Sequence, residues 1–119
     1  MSSPDPTRPT SVRIGIARLA GQVIVDDPDV EPADGSRRST ADGDDVIPGV
    51  VAAAGVDGRI DVDLHLVAYL PPRPLGEQAA SVRAGLVAAA RRSGLAARLG
   101  EIDVTIHDLV ERGPHGEVA

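Results

Sequence analysis

Apolar and polar residues alternate along the eleven positions Ile60–Leu70 (IDVDLHLVAYL), with one apolar exception on the polar side. Ile60, Val62, Leu64, Leu66, Ala68 and Leu70 fall on one side of an extended chain, and Asp61, Asp63, His65, Val67 and Tyr69 on the other. Successive side chains of a strand point to opposite faces, so this period of two predicts a long β-strand. One face is buried, and the other is wet or covered by a partner. The run 102–109 (IDVTIHDL) repeats the pattern, with Ile102, Val104 and Ile106 inward and Asp103, Thr105 and His107 outward. Upstream, 49–54 (GVVAAA) leads into Gly55-Val56-Asp57-Gly58-Arg59. Asp57-Gly58 suits a two-residue hairpin turn, whose central positions need positive φ. Such a turn sets Ala53 opposite Val62 and Val51 opposite Leu64, all four on the buried face.

Two other stretches follow a helical period. In 12–25 (VRIGIARLAGQVIV), Val12, Ile16, Leu19, Ala20 and Val23 share one helical face, whereas only Val12, Ile14 and Ile16 alternate as a strand would require. Helix is therefore expected there, although Gly15 and Gly21 weaken it. Pro71, Pro72 and Pro74 end the long strand and start a second helix near residue 75. Over 75–93, Leu75, Ala79, Val82, Leu86, Ala89 and Ala90 form a single stripe. Arg91 and Arg92 complement the dipole of the last turn, and Gly94 caps it. The order helix, strand, strand, helix, strand predicts a two-layer α+β domain of αββαβ type. Its three-stranded sheet carries the helices on one face and a mostly polar surface on the other.

The domain is expected over 12–110, between flexible tails at 1–11 and 111–119 that lack periodic apolar residues. Within it, 26–45 (DDPDVEPADGSRRSTADGDD) reads as an acidic flexible loop, dispensable for folding. This segment holds eight acids and two arginines, which account for the whole net charge of −6, so the remainder is neutral. An acidic loop on a neutral body is a poor match for phosphate backbones, which disfavours nucleic acid as a partner. Phe, Trp and Cys are absent, and Tyr69 is the only aromatic residue apart from histidine. The core must therefore be built from Leu, Ile and Val, each contributing about 1.5–3 kcal/mol on full burial. Self-association or a protein partner would add to so small a reserve. Without cysteine there are no disulfides, thiolate metal sites or cysteine nucleophiles. No apolar run is long enough to span a bilayer and no leader is evident, so the reading is cytoplasmic, without direct membrane insertion. Any membrane association would come through a partner. Absent Lys and Asn beside abundant Ala, Arg, Gly and Pro are what a GC-rich bacterial coding sequence, such as an actinobacterial one, produces.

Candidate chemistry is confined to a few positions. If the two alternating strands are neighbours, Asp61, Asp63, His65, Asp103, Thr105 and His107 share one polar sheet face. Carboxylates with two imidazoles resemble a zinc or iron shell, so a small metal-binding or regulatory module is the alternative reading. The same residues equally serve to keep a sheet face wet, and spacing alone does not force the two histidines together. His115 lies in the tail. Asp63 could orient His65 as a base, but a flat sheet face has no pocket to exclude water. No catalytic, cofactor or metal residue is assigned, and the expectation is not an enzyme. Gly55–Gly58 matches a GxxG loop in spacing only, and Asp42–Asp45 lacks the spacing of a calcium loop. The back of the second helix instead carries Ala80, Ala84, Val87 and Ala88, flanked by Glu77, Arg83 and Arg91. Small side chains let another surface approach closely, which makes this a candidate protein-contact face.

From Ile47 to Leu109 the chain resembles the alkaline shock protein family of bacterial general-stress proteins. The resemblance is carried by Pro48-Gly49-Val50, the strand IDVDLHLVAYL, the proline-led helix PPRPLGEQAASVRAGLVAAA and the closing strand IDVTIHDLV. VRIGIARLAGQVIVDDPDV is similar to the family's first helix and its end, and 26–45 departs from the family as a lengthened loop. The resemblance implies a non-enzymatic adaptor or scaffold of the cell-envelope stress response, held at the cytoplasmic face of the membrane by a separate anchor protein. It brings no catalytic residues.

Overall fold

The computed structural model describes residues 9–71 and 73–111. The first helix, α1, spans Pro9–Asp26, so three residues assigned to the flexible tail are already helical. Proline fits a helix's first turn because its missing N–H would find no intrahelical acceptor there. Val12, Ile16, Ala17, Ala20 and Ile24 are buried, with Leu19 and Val23 packed beside them. Gly21 weakens the helix in isolation but admits a neighbour. A Cβ there would stand 2.8 Å from Ile47 Cγ2.

The long alternating run forms a strand over Ile60–Tyr69, with Ile60, Val62, Leu64, Leu66 and Ala68 buried as the pattern requires. Leu70 is a correction: it lies past the strand's end and is 38% exposed. The preceding strand, Val50–Ala54, pairs antiparallel with it, but the expected register is wrong by one residue. Val50 opposes Leu64, Ala52 opposes Val62, and Ala54 opposes Ile60, so Val50 and Ala52 are buried and Val51 and Ala53 face away. The turn explains the shift. Gly55 N–H donates to Arg59 O (2.7 Å), Gly58 N–H donates to Gly55 O (3.2 Å), and Gly58 alone takes a positive φ of 81°. That is a three-residue loop closed by a left-handed glycine. One residue more than Asp57-Gly58 alone flips every side chain of the pairing strand.

The segment 26–45, expected as a dispensable flexible loop, contains structure. Numbering strands in chain order, β1 is Val30–Pro32, β2 is Ser39–Asp42, β3 is Asp45–Pro48, β4 is Val50–Ala54 and β5 is Ile60–Tyr69. A short 3₁₀ turn at Ser36–Arg38 precedes β2. β1 pairs antiparallel with Leu66–Ala68 of β5, and β2 and β3 form a hairpin around Gly43 (φ 63°). Val30, Ala33 and Thr40 are buried. Thr40 Oγ1 donates to Val50 O (2.6 Å) and accepts from Ala52 N–H (3.2 Å), so a side chain satisfies the outer edge of β4. Arg18 of α1 pairs with Asp42 and with Asp45 (3.4 Å), tying the hairpin to the helix.

The second helix, α2, runs Leu75–Arg92 and ends as expected at Gly94 (φ 74°), with Leu95 N–H donating to Ala90 O (2.8 Å). Its buried stripe is Gln78, Val82, Leu86, Ala89 and Ala90. Leu75, expected inward, stands at the helix's first position 44% exposed, and Ala79 is half-buried. Gln78 occupies the inner position because its amide donates to Asp27 Oδ2 (2.9 Å) just past α1, satisfying the buried polar group. The last strand, β6, spans Leu99–Val110 and lies parallel to β5, as a crossover helix allows.

The α+β class stands, but the main sheet has four strands rather than three. β4 and β1 share one edge of β5 end to end, and β6 occupies the other. The helices, packed on each other and against this sheet, close a core centred on Ile16, Ile24, Ile60, Leu64, Leu66 and Leu86. Among the described residues, no helix is long and apolar enough to cross a membrane.

Candidate interaction surface and histidine pair

His65 sits where β4 and β1 meet along the edge of β5. Its N–H donates to Gly49 O (2.7 Å) and its carbonyl accepts from Ala33 N–H (2.9 Å), so its backbone is held from both sides. Gly49 has φ 76°, and a Cβ on it would stand 2.8 Å from His65 O and 2.7 Å from Pro32 Cβ. Only glycine fits that junction.

On the other side, the parallel register sets Asp63 beside Asp103 and His65 beside Thr105, then slips so that Val67 meets Asp108. His107 is the extra residue of this bulge. The slip swings its ring onto His65, with Nδ1 of His65 2.8 Å from Nε2 of His107 and the ring centroids 5.0 Å apart at 28°. Strand spacing alone could not predict this meeting, because it depends on the bulge re-aiming one side chain. At that distance one nitrogen donates and the other accepts, so the pair cannot keep the bond with both rings fully protonated. Desolvation first, then the positive charge of Arg38, then His65, lower the His107 pKa from its ordinary value.

The other polar-face residues separate by role. Asp61 Oδ1 accepts Glu101 N–H (2.9 Å) where β6 first shifts register, which makes it a fixture of the sheet. Asp63, Asp103 and Thr105 are exposed and Tyr69 donates to Glu31 Oε2 (2.9 Å). The structure thus brings all six expected positions onto two adjacent strands. Among the described residues, no group of three or more His, Asp or Glu side chains is arranged to hold a metal ion. A hollow of about 190 Å³ lies between α1 and β3, lined by Arg18, Val25, Val46 and Ile47 among others, and neither histidine borders it.

On α2, Ala80 and Ala84 are exposed while Val87 and Ala88 are half-buried. A Cβ on Gly85 would lie 3.0 Å from Val23 Cγ1, so α1 packs against that side of the helix. On the flank turned away from α1, Arg83 Nε donates to Ile102 O (3.2 Å) and ties α2 to β6. Sequence reasoning missed the surface below it. Among the described residues, no strand pairs with the outer edge of β6, and Ile102, Val104 and Ile106 are only half-buried although they face the helices. The signal was present: twelve residues without Pro, following a crossover helix that delivers a parallel strand to a sheet edge. No family model, curated protein or solved structure matches the chain.

Proposed function

We propose that the protein is a non-enzymatic adaptor or scaffold of the cell-envelope stress response, acting through protein–protein contacts at the cytoplasmic side of the membrane. The observation that carries this reading is the open edge of β6. A strand edge that no other described strand pairs with, above half-covered Ile102, Val104 and Ile106, is built to be completed by another chain. The envelope setting rests on the resemblance to the alkaline shock proteins, and an anchored partner would supply the membrane attachment. The full chain should co-sediment with membranes from its host cells, lose that binding when the membranes are protease-treated, and ignore protein-free vesicles. Equal binding to vesicles, or none to native membranes, would overturn the reading.

A second reading, divalent-metal binding or regulation at the polar sheet face, is favoured by one observation, the 2.8 Å approach of His65 and His107. A rise in melting temperature with Zn²⁺ that disappears in His107→Gln would establish it, and no rise would dismiss it.

A further inference from the structure

We infer that the open edge of β6 pairs with a second copy of this chain, antiparallel and centred on Val104, to make one continuous sheet across two molecules. The inference rests on the adaptor reading and names the occupant of its surface. Ile102 O is taken by Arg83 from outside the sheet, whereas Val110 O accepts Leu70 N–H from within it. Alternation along a strand then turns the backbone groups of Ile102, Val104 and Ile106 outward. Ile102 O can keep Arg83 and accept a strand N–H as well, because a carbonyl has two lone pairs.

Side chains select the register. Centring on Val104 sets Val104 against its own copy and Ile102 against Ile106 on the helix-covered side, enlarging an apolar layer that α2 covers only in part. On the outer face the same register sets Glu101 against His107, whose Nδ1, outside the bond to His65, can donate to the carboxylate, and Asp103 against Thr105. Sliding the pair by two residues one way opposes the two Asp103 carboxylates. Sliding it the other way sets Ile102 against Asp108. The Arg83 bond places that flank of α2 beside this edge, while Ala80 and Ala84 lie on the helix face opposite the buried Val82 and Leu86 and stay clear of the pairing.

Three variants test the pairing in the full chain by sedimentation. Val104→Pro removes an outward N–H and leaves the β5 ladder intact, as proline does on edge strands. It should turn a dimer into a monomer with unchanged circular dichroism. Should that variant unfold, Glu101→Arg and His107→Glu decide, since both side chains are exposed. His107→Glu alone sets carboxylates opposite each other at two symmetric positions and should weaken association several-fold up to roughly tenfold, and adding Glu101→Arg should restore it. The chain has no cysteine, so Val104→Cys should oxidise to a covalent dimer and Val51→Cys should not. A parent that stays monomeric overturns the inference, as does a dimer indifferent to the charge pair. A monomer that still binds native membranes overturns the pairing alone, whereas a dimer that ignores them overturns the membrane reading alone.

Discussion

Leu64 has no exposed surface and lies mid-way along β5, between the ladder to β4 and the ladder to β6. Leu64→Ala removes three buried carbons and leaves a cavity that rigid neighbours on both sides cannot fill. The expected cost is about 2–5 kcal/mol, read as a lower urea midpoint at unchanged slope. In a domain whose total stability is on the order of 5–15 kcal/mol, that is a large share. His107 acts through protonation instead. Its pKa is lowered in the fold, so below the unfolded value of about 6.5 the unfolded chain binds more protons than the native one. Stability from this group is complete above that pH and is lost as pH falls through the folded pKa. Melting temperatures between pH 7.5 and 5 should therefore decline, and the decline should be shallower in His107→Gln. The ring is exposed, so this slope is small beside the Leu64 effect.

Thr40 shows how elements depend on single polar side chains. β2 makes no ladder with β4, yet Thr40 supplies both a donor and an acceptor to that strand's outer edge from a buried position. Thr40→Val keeps the shape but strands Val50 O and Ala52 N–H without partners, at an expected cost of about 1–3 kcal/mol by chemical denaturation. By the same logic, replacing 26–45 with a Gly/Ser linker should abolish cooperative unfolding, because β1, Val30 and Thr40 go with it. An unchanged melting profile would return the segment to the status of a loop. Helices α1 and α2 and strands β5 and β6 are legible because each repeats its period over many residues. β1 to β3 are not, because each contributes a single buried side chain, too few to make a period.

For the whole molecule, burial is uneven: the α1 side of the sheet is closed, while the β6 side is half-covered. Ala84→Glu discriminates folding from association on the outer face of α2. Ala84 is exposed, so the variant should melt within about 0.5 kcal/mol of the parent. Where a partner docks on this outer face of α2, the new carboxylate is forced into the contact, and association measured by sedimentation should fall. Equal association would place the contact along the strand edge alone, without the helices.

What the amino-acid pattern determined by itself is local: two long strands with their inward and outward faces, two helices, the Gly94 cap, a turn ending at Gly58, and an α+β class. These follow from periodicity and backbone freedom, which act over a few residues. What only the tertiary structure decided are matters of register and adjacency. The turn's extra residue chose Val50 and Ala52 over Val51 and Ala53, Gly49 let β1 and β4 share one edge, and the bulge at His107 brought its ring to His65. A one-residue slip reverses every face while leaving the sequence period untouched, so only contacts between distant segments can fix it. The open edge of β6 is likewise a property of where the strand was laid down, and not of its residues alone.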